Sequence, residues 1–238
     1  MNNKNNKIKK ALKGTLALMA VAGLTIGATL ALLNEETEQR TNTFTPGGDI
    51  ELILEEPNWE QNGEASHFAP GSVIPKDPTV GVPASSSENE YIAATVKYYA
   101  DLNGDKRYTS DEEVNYKEFT SKYAKIYYVN KEEVTADSAT HNNEWFTDNN
   151  ELYYYVNSQN VDDLKVMIKG NKSVIFDKVV VNKDIPTYAK DTDGYKAGTP
   201  VAFKIDVKAY GVQDSVGKVT AKEAIKLMID GKDPNTLF

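Results

Sequence analysis

The strongest chemical pattern in the chain runs from Asp101 to Glu112, with the sequence DLNGDKRYTSDE. A hard cation such as calcium takes about six to eight oxygen ligands, which a loop can supply from positions 1, 3, 5, 7, 9 and 12. Here those positions hold Asp101, Asn103, Asp105, the carbonyl of Arg107, Thr109 and Glu112. Lys106 stands at the sixth position, where a glycine usually permits the sharp turn, and it counts against the pattern. A competing explanation is a hairpin in which Asn103-Gly104 turns the chain between Val96–Leu102 and Tyr108–Ser110. If calcium binds, an extracellular module needs an affinity of only ~10⁻⁴ to 10⁻³ M. A lesser acidic turn, Asp191-Thr192-Asp193-Gly194, is explained by turn chemistry and less well by calcium.

Other chemistries find little support. The two histidines, His67 and His141, form no His-Glu-x-x-His pattern and sit among loop-forming residues, so a zinc centre lacks its usual ligands. Cysteine is absent, no Gly-x-Ser-x-Gly occurs, and the serines gather in linkers, which leaves no activated nucleophile. No glycine-rich phosphate loop precedes a helix. The 14 tyrosines gather chiefly at 91–128 and 153–155, where they suit half-buried strands better than a ligand platform.

These residues must be held by strands. Tyr91 to Ala100 alternates, with Ile92, Ala94, Val96 and Tyr98 on one face. Val201 to Val212 alternates likewise, and Asp49 to Glu55 predicts a half-buried strand. Glu144–Phe146 and Leu152 to Val156 flank Thr147–Asn150 as a hairpin, and Val174 to Val181 reads as a strand pair or a bent strand. Residues 69–81 form a strand broken by prolines, which places it at a sheet edge. A short helix is predicted over Glu113 to Lys122 and a strand over Tyr123 to Val129. The capping-box pattern Thr220-x-x-Glu223 opens a C-terminal helix, and Gly231 closes it. The fold class expected is mainly β: an antiparallel jelly-roll-like β-sandwich with a short helical insertion and a C-terminal helix.

Ahead of this domain stands a leader. Lys4, Lys7, Lys9, Lys10 and Lys13 precede a charge-free apolar run from Thr15 to Leu33 with a small-residue exit. That order describes a secretory signal peptide over residues 1–31, with cleavage between Ala31 and Leu32; an uncleaved anchor is the alternative. Cleavage removes five lysines and no acidic residue, so the net charge moves from −8 to −13. Such acidity disfavours nucleic acid and anionic membranes as partners and suits calcium. A secreted chain without cysteine must be held by its core, and residues 32–238 can bury one, with 101–143 as an insertion.

Four blocks together resemble the TasA/camelysin family of Gram-positive surface and biofilm-matrix proteins. They are Gly27 to Glu38 running into Thr41–Gly47; Glu56–Trp59 with Pro70–Pro78 and Tyr91–Ala93; Trp145 with Tyr153–Tyr155 and Phe176–Val179; and Ile205–Gln213. The resemblance implies a jelly-roll sandwich, export with the help of a signal peptidase, and a role in extracellular fibres or at the cell surface. The segment 101–143 departs from that pattern, so the resemblance says nothing about its acidic loop.

The expected function is thus a secreted, non-enzymatic surface or matrix protein whose partners are itself or other matrix proteins. It would assemble by strand addition, with Phe44, Ile50, Leu52 and Leu54 as side-chain anchors. The alternatives are a camelysin-like surface metalloprotease, which the resemblance suggests, and a calcium-dependent adhesion or binding module.

Overall fold

Two long alternating runs form the spine of the molecule. The computed structural model describes residues 34–36, 50–58, 68–127 and 144–237. In chain order its strands are β1 (Asn34–Glu36), β2 (Ile53–Glu55), β3 (Val73–Pro75), β4 (Thr79–Gly81), β5 (Glu90–Ala100), β6 (Glu113–Val114) and β7 (Ala124–Tyr127). They continue with β8 (Trp145–Thr147), β9 (Leu152–Tyr155), β10 (Val166–Met167), β11 (Lys172–Val174), β12 (Lys178–Val181) and β13 (Phe203–Gln213). Two α-helices are described, α1 (Tyr116–Lys122) and α2 (Lys218–Ile229).

β5 and β13 pair antiparallel over their whole length, from Phe203 opposite Ala100 to Gln213 opposite Glu90. They centre a seven-stranded sheet of order β1-β13-β5-β9-β8, with β6 and β10 also paired to β5. Two three-stranded sheets, β11-β4-β2 and β3-β12-β7, complete the set. Ile92, Ala94, Val96 and Tyr98 from β5 join Val207 from β13 in one core with Val80, Ile126 and Val179 from the small sheets. The opposite face of the large sheet, through Tyr91, Ala93, Tyr154, Tyr210 and Val212, packs under Ala221, Ala224, Ile225 and Met228 of α2. Alternation therefore serves two cores at once, because both faces of the large sheet are covered.

The mainly β, antiparallel expectation agrees with this architecture, in which one large sheet faces two small ones. Several elements depart in detail. Of the strand expected over Asp49 to Glu55, the described residues 50–55 are a regular strand at Ile53–Glu55, and Ile50 and Leu52 just before it are buried. The proline-broken stretch splits between sheets: β3 is an edge strand, but β4 is central, since Pro78 and Pro83 stand outside its ladder. The expected helix at Glu113 begins instead at Tyr116, where Asn115 Oδ1 accepts the Glu118 N–H at 2.9 Å, while Glu113–Val114 pairs with β5. Thr220 and Glu223 lie inside α2, which starts after Gly217 (φ 76°). Gly231, at φ 68°, ends it as expected. Residues 101–127, expected as part of an insertion, are woven into the sandwich: Phe119 and Ile126 are fully buried and β7 pairs with β12.

Candidate cation site

Asp101 follows directly on β5, and its N–H donates to the Ala202 carbonyl at 2.9 Å. The side chain is buried. Its Oδ1 accepts from the N–H groups of Gly104 (2.7 Å) and Asp105 (3.1 Å), and its Oδ2 from that of Lys106 (2.9 Å). One carboxylate thus folds the next five residues around itself. The pattern repeats in smaller form: Asn103 Oδ1 accepts the Asp105 N–H and Asp105 Oδ1 the Arg107 N–H, both at 2.8 Å. Glu112, in a short 3₁₀ helix (Ser110–Glu112), reaches back to the loop's start. Its Oε1 accepts from Leu102 N–H at 3.1 Å and its Oε2 from Thr109 N–H at 3.3 Å.

The result brings together carboxylate oxygens of Asp101, Asp105 and Glu112, all within 4.8 Å of one another. Asp101 and Glu112 are buried and Asp105 is partly exposed, so the group opens to solvent on one side. Of the other predicted ligands, Asn103 Oδ1 keeps a second lone pair beyond its bond to Asp105. Thr109 turns its hydroxyl to Asp111 Oδ1 at 2.5 Å. Ser110–Glu112 is helical and no strand follows Asn103-Gly104 directly, so the tight-hairpin alternative does not describe this segment.

Lys106 resolves its own objection. It adopts φ 64°, the left-handed backbone that favours glycine at the sixth position. A non-glycine residue there costs about 1–2 kcal/mol. The Asp101 carboxylate holds its N–H, and its ammonium lies 5.4 Å from the centre of the Tyr195 ring.

Burial pushes the Asp101 carboxyl above its ordinary value, and the nearby Glu112 charge adds to this; the three N–H bonds pull the other way without cancelling it. Clustered carboxylates of this kind are stabilised as anions by a cation between them. Calcium would supply that charge, held by Asp101, Asp105 and Glu112 with the Arg107 carbonyl and water as further oxygen donors.

A second loop braces the first. The Gly104 carbonyl accepts from Thr192 Oγ1 (3.0 Å) and from the Gly194 N–H (2.8 Å). Gly104 has no room for a side chain, because a Cβ there would lie 2.4 Å from Thr192 Oγ1. The second acidic turn is spent on its own fold: Asp191 accepts from Lys196 Nζ at 2.7 Å and from Ala197 N–H at 3.0 Å.

The proposed assembly anchors fall elsewhere. Ile50 and Leu52 are buried in this copy's own core and Leu54 packs on its margin. Phe44, the cleavage pair Ala31 and Leu32, the leader, and both histidines lie outside the described residues. Among the described residues, no helix is long and apolar enough to cross a membrane.

One polar network has no signal in the sequence. The Trp145 indole N–H donates to Ser173 Oγ (2.9 Å), which donates to Glu144 Oε2 (2.6 Å). Lys165 Nζ donates to Glu144 Oε1 at 3.1 Å. Burial raises the Glu144 carboxyl, but the Ser173 and Lys165 bonds outweigh it and hold the group below its ordinary value. Its members come from β8, β11 and the residues just before β8 and β10, so only the fold unites them.

Comparison of the chain with protein-family models, with curated proteins and with solved structures finds no match in any of the three. None of them ties the chain to the TasA/camelysin family.

Proposed function

We propose that the chain is an exported calcium-binding β-sandwich that works at a cell surface or in an extracellular matrix, as a binding or structural protein and not as an enzyme. The observation that supports this most is the convergence of the Asp101, Asp105 and Glu112 carboxylates around a turn whose sixth residue takes the left-handed backbone. The role of the cation is structural. It screens carboxylates that face one another and fixes the loop that closes the end of β5. Heating the purified chain with and without millimolar calcium tests this. Calcium at ten times its dissociation constant adds about 1.4 kcal/mol. That raises the melting temperature of a domain this size by roughly 3–6 °C. Asp105→Ala removes the increase, and an unchanged melting temperature in the wild type would retire the site.

Self-assembly by strand addition is the second function we propose. β1 supports it, since a segment near the start of the chain lies at the edge of the large sheet, with Asn34 opposite Val212 and Glu36 opposite Tyr210. A strand in that position can pair with its own sheet or with that of another copy. Deletion of residues 32–48 should abolish fibres seen by electron microscopy; fibres of unchanged abundance would exclude the mechanism.

A further inference from the structure

Asn103 is exposed and is followed by glycine, the neighbour that least hinders attack of a backbone nitrogen on an asparagine side chain. In that reaction the Gly104 nitrogen loses its proton and bonds to Asn103 Cγ. The Cγ–Nδ2 bond breaks, and the amide leaves as ammonia carrying the proton. Water then opens the succinimide at either carbonyl, giving aspartate or isoaspartate at 103.

The folded loop withholds both reacting partners. The nucleophile, Gly104 N–H, is bound to the buried Asp101 Oδ1 at 2.7 Å. The electrophile is fixed by the bond from Asp105 N–H to Asn103 Oδ1 at 2.8 Å. Gly104 itself is clamped, with its backbone at φ 72° and its carbonyl held by Thr192 Oγ1 and the Gly194 N–H. The attack requires Gly104 N–H to leave Asp101 and Asn103 to rotate, so it requires the loop to open.

We propose that Asn103-Gly104 is a latent deamidation site, sealed in the closed loop and reactive in the open one. Each product changes the loop permanently. Aspartate at 103 adds a fourth carboxylate beside Asp101, Asp105 and Glu112, and isoaspartate inserts a methylene into the backbone that the Asp101 carboxylate organises. The reaction thereby records how often the loop has opened, and this inference stands whether or not the loop binds calcium.

Peptide mapping by mass spectrometry tests it on the full chain incubated at mildly alkaline pH. Asn62-Gly63, the same dipeptide elsewhere in the chain, gives an internal reference for intrinsic reactivity in urea. Unfolded in urea, Asn103 should deamidate at a rate comparable to that of Asn62; in the native chain without calcium it should be slower by tenfold or more, the population change that about 1.4 kcal/mol of loop closure produces. Thr192→Val, which removes one bond to the Gly104 carbonyl without touching the carboxylates, should raise the native rate. Equal rates in native and unfolded chains would overturn the proposal, as would a native rate unmoved by Thr192→Val when circular dichroism confirms the fold.

Discussion

The Tyr188 hydroxyl donates to the main-chain carbonyl of Asp101 at 2.7 Å and accepts from the Ala202 N–H at 3.2 Å. Tyr188 also stacks on Tyr195, with ring centres 5.0 Å apart and planes 11° from parallel. A single phenol thus fastens the first residue of the acidic loop to the loop that precedes β13. Tyr188→Phe leaves a buried carbonyl and a buried N–H without that partner, which costs about 1–3 kcal/mol. Urea unfolding measures the loss. The same variant should weaken calcium stabilisation, because the carbonyl it releases belongs to Asp101.

Calcium stabilisation should depend on pH. The folded Asp101 carboxyl sits above its ordinary value, through burial first and the Glu112 charge second. A group raised in this way favours the protonated folded state, so its stabilising contribution is present in acid and is lost as pH rises through the folded value. At neutral pH the ionised Asp101 is therefore a cost that a cation relieves; below the carboxylate range the proton already relieves it. The calcium-induced rise in melting temperature should be largest at neutral pH and shrink as pH falls through the carboxylate range. An increment that stays constant as pH falls through and below the carboxylate range would assign the effect to some other site.

Glu144 should behave in the opposite sense. Its carboxyl is held below the ordinary value because the bonds from Ser173 and Lys165 outweigh burial. Its contribution is present above the unfolded carboxylate value and is lost as pH falls through the folded one. Ser173→Ala removes the acceptor of the buried Trp145 indole and one donor to Glu144. The variant should lose about 1–3 kcal/mol at neutral pH, lose less in acid, and show altered tryptophan fluorescence.

Leu52 decides where the segment 50–55 belongs. Its side chain is fully buried, and a Cβ on Gly211 would lie 2.8 Å from Leu52 Cδ1. Leu52→Ala should destabilise the isolated chain by about 2–5 kcal/mol, as other buried leucine truncations do. A loss that appears only in fibres, with the soluble monomer unchanged, would place this side chain in a neighbour's core instead.

The legible parts of this molecule are the local ones. Alternation from Tyr91 to Ala100 marks β5 because each face meets its own core, and loop spacing picks out Asp101, Asp105 and Glu112 because their ligand geometry is set within twelve residues. Lys106 counts against the loop in the sequence because residue type alone does not show that the Asp101 carboxylate holds its N–H in the left-handed turn. Thr220-x-x-Glu223 misplaced the start of α2, since Gly217 turns the chain a few residues earlier. The Glu144–Ser173–Trp145 network left no trace because Ser173 stands 28 residues from Trp145 and 29 from Glu144. β4 could not be assigned to a central position, because the strands flanking it, β2 and β11, are distant in sequence.

Calcium titration followed by amide NMR tests the cation site most directly. Calcium raised through the millimolar range should shift the amides of Gly104, Lys106 and Arg107 together along one saturating curve, with a dissociation constant near ~10⁻⁴ to 10⁻³ M. Thr192 and Gly194 should follow with the same midpoint, since they are bonded to the Gly104 carbonyl. Amides of this loop that stay in place while others drift linearly with salt would contradict a cation held by Asp101, Asp105 and Glu112.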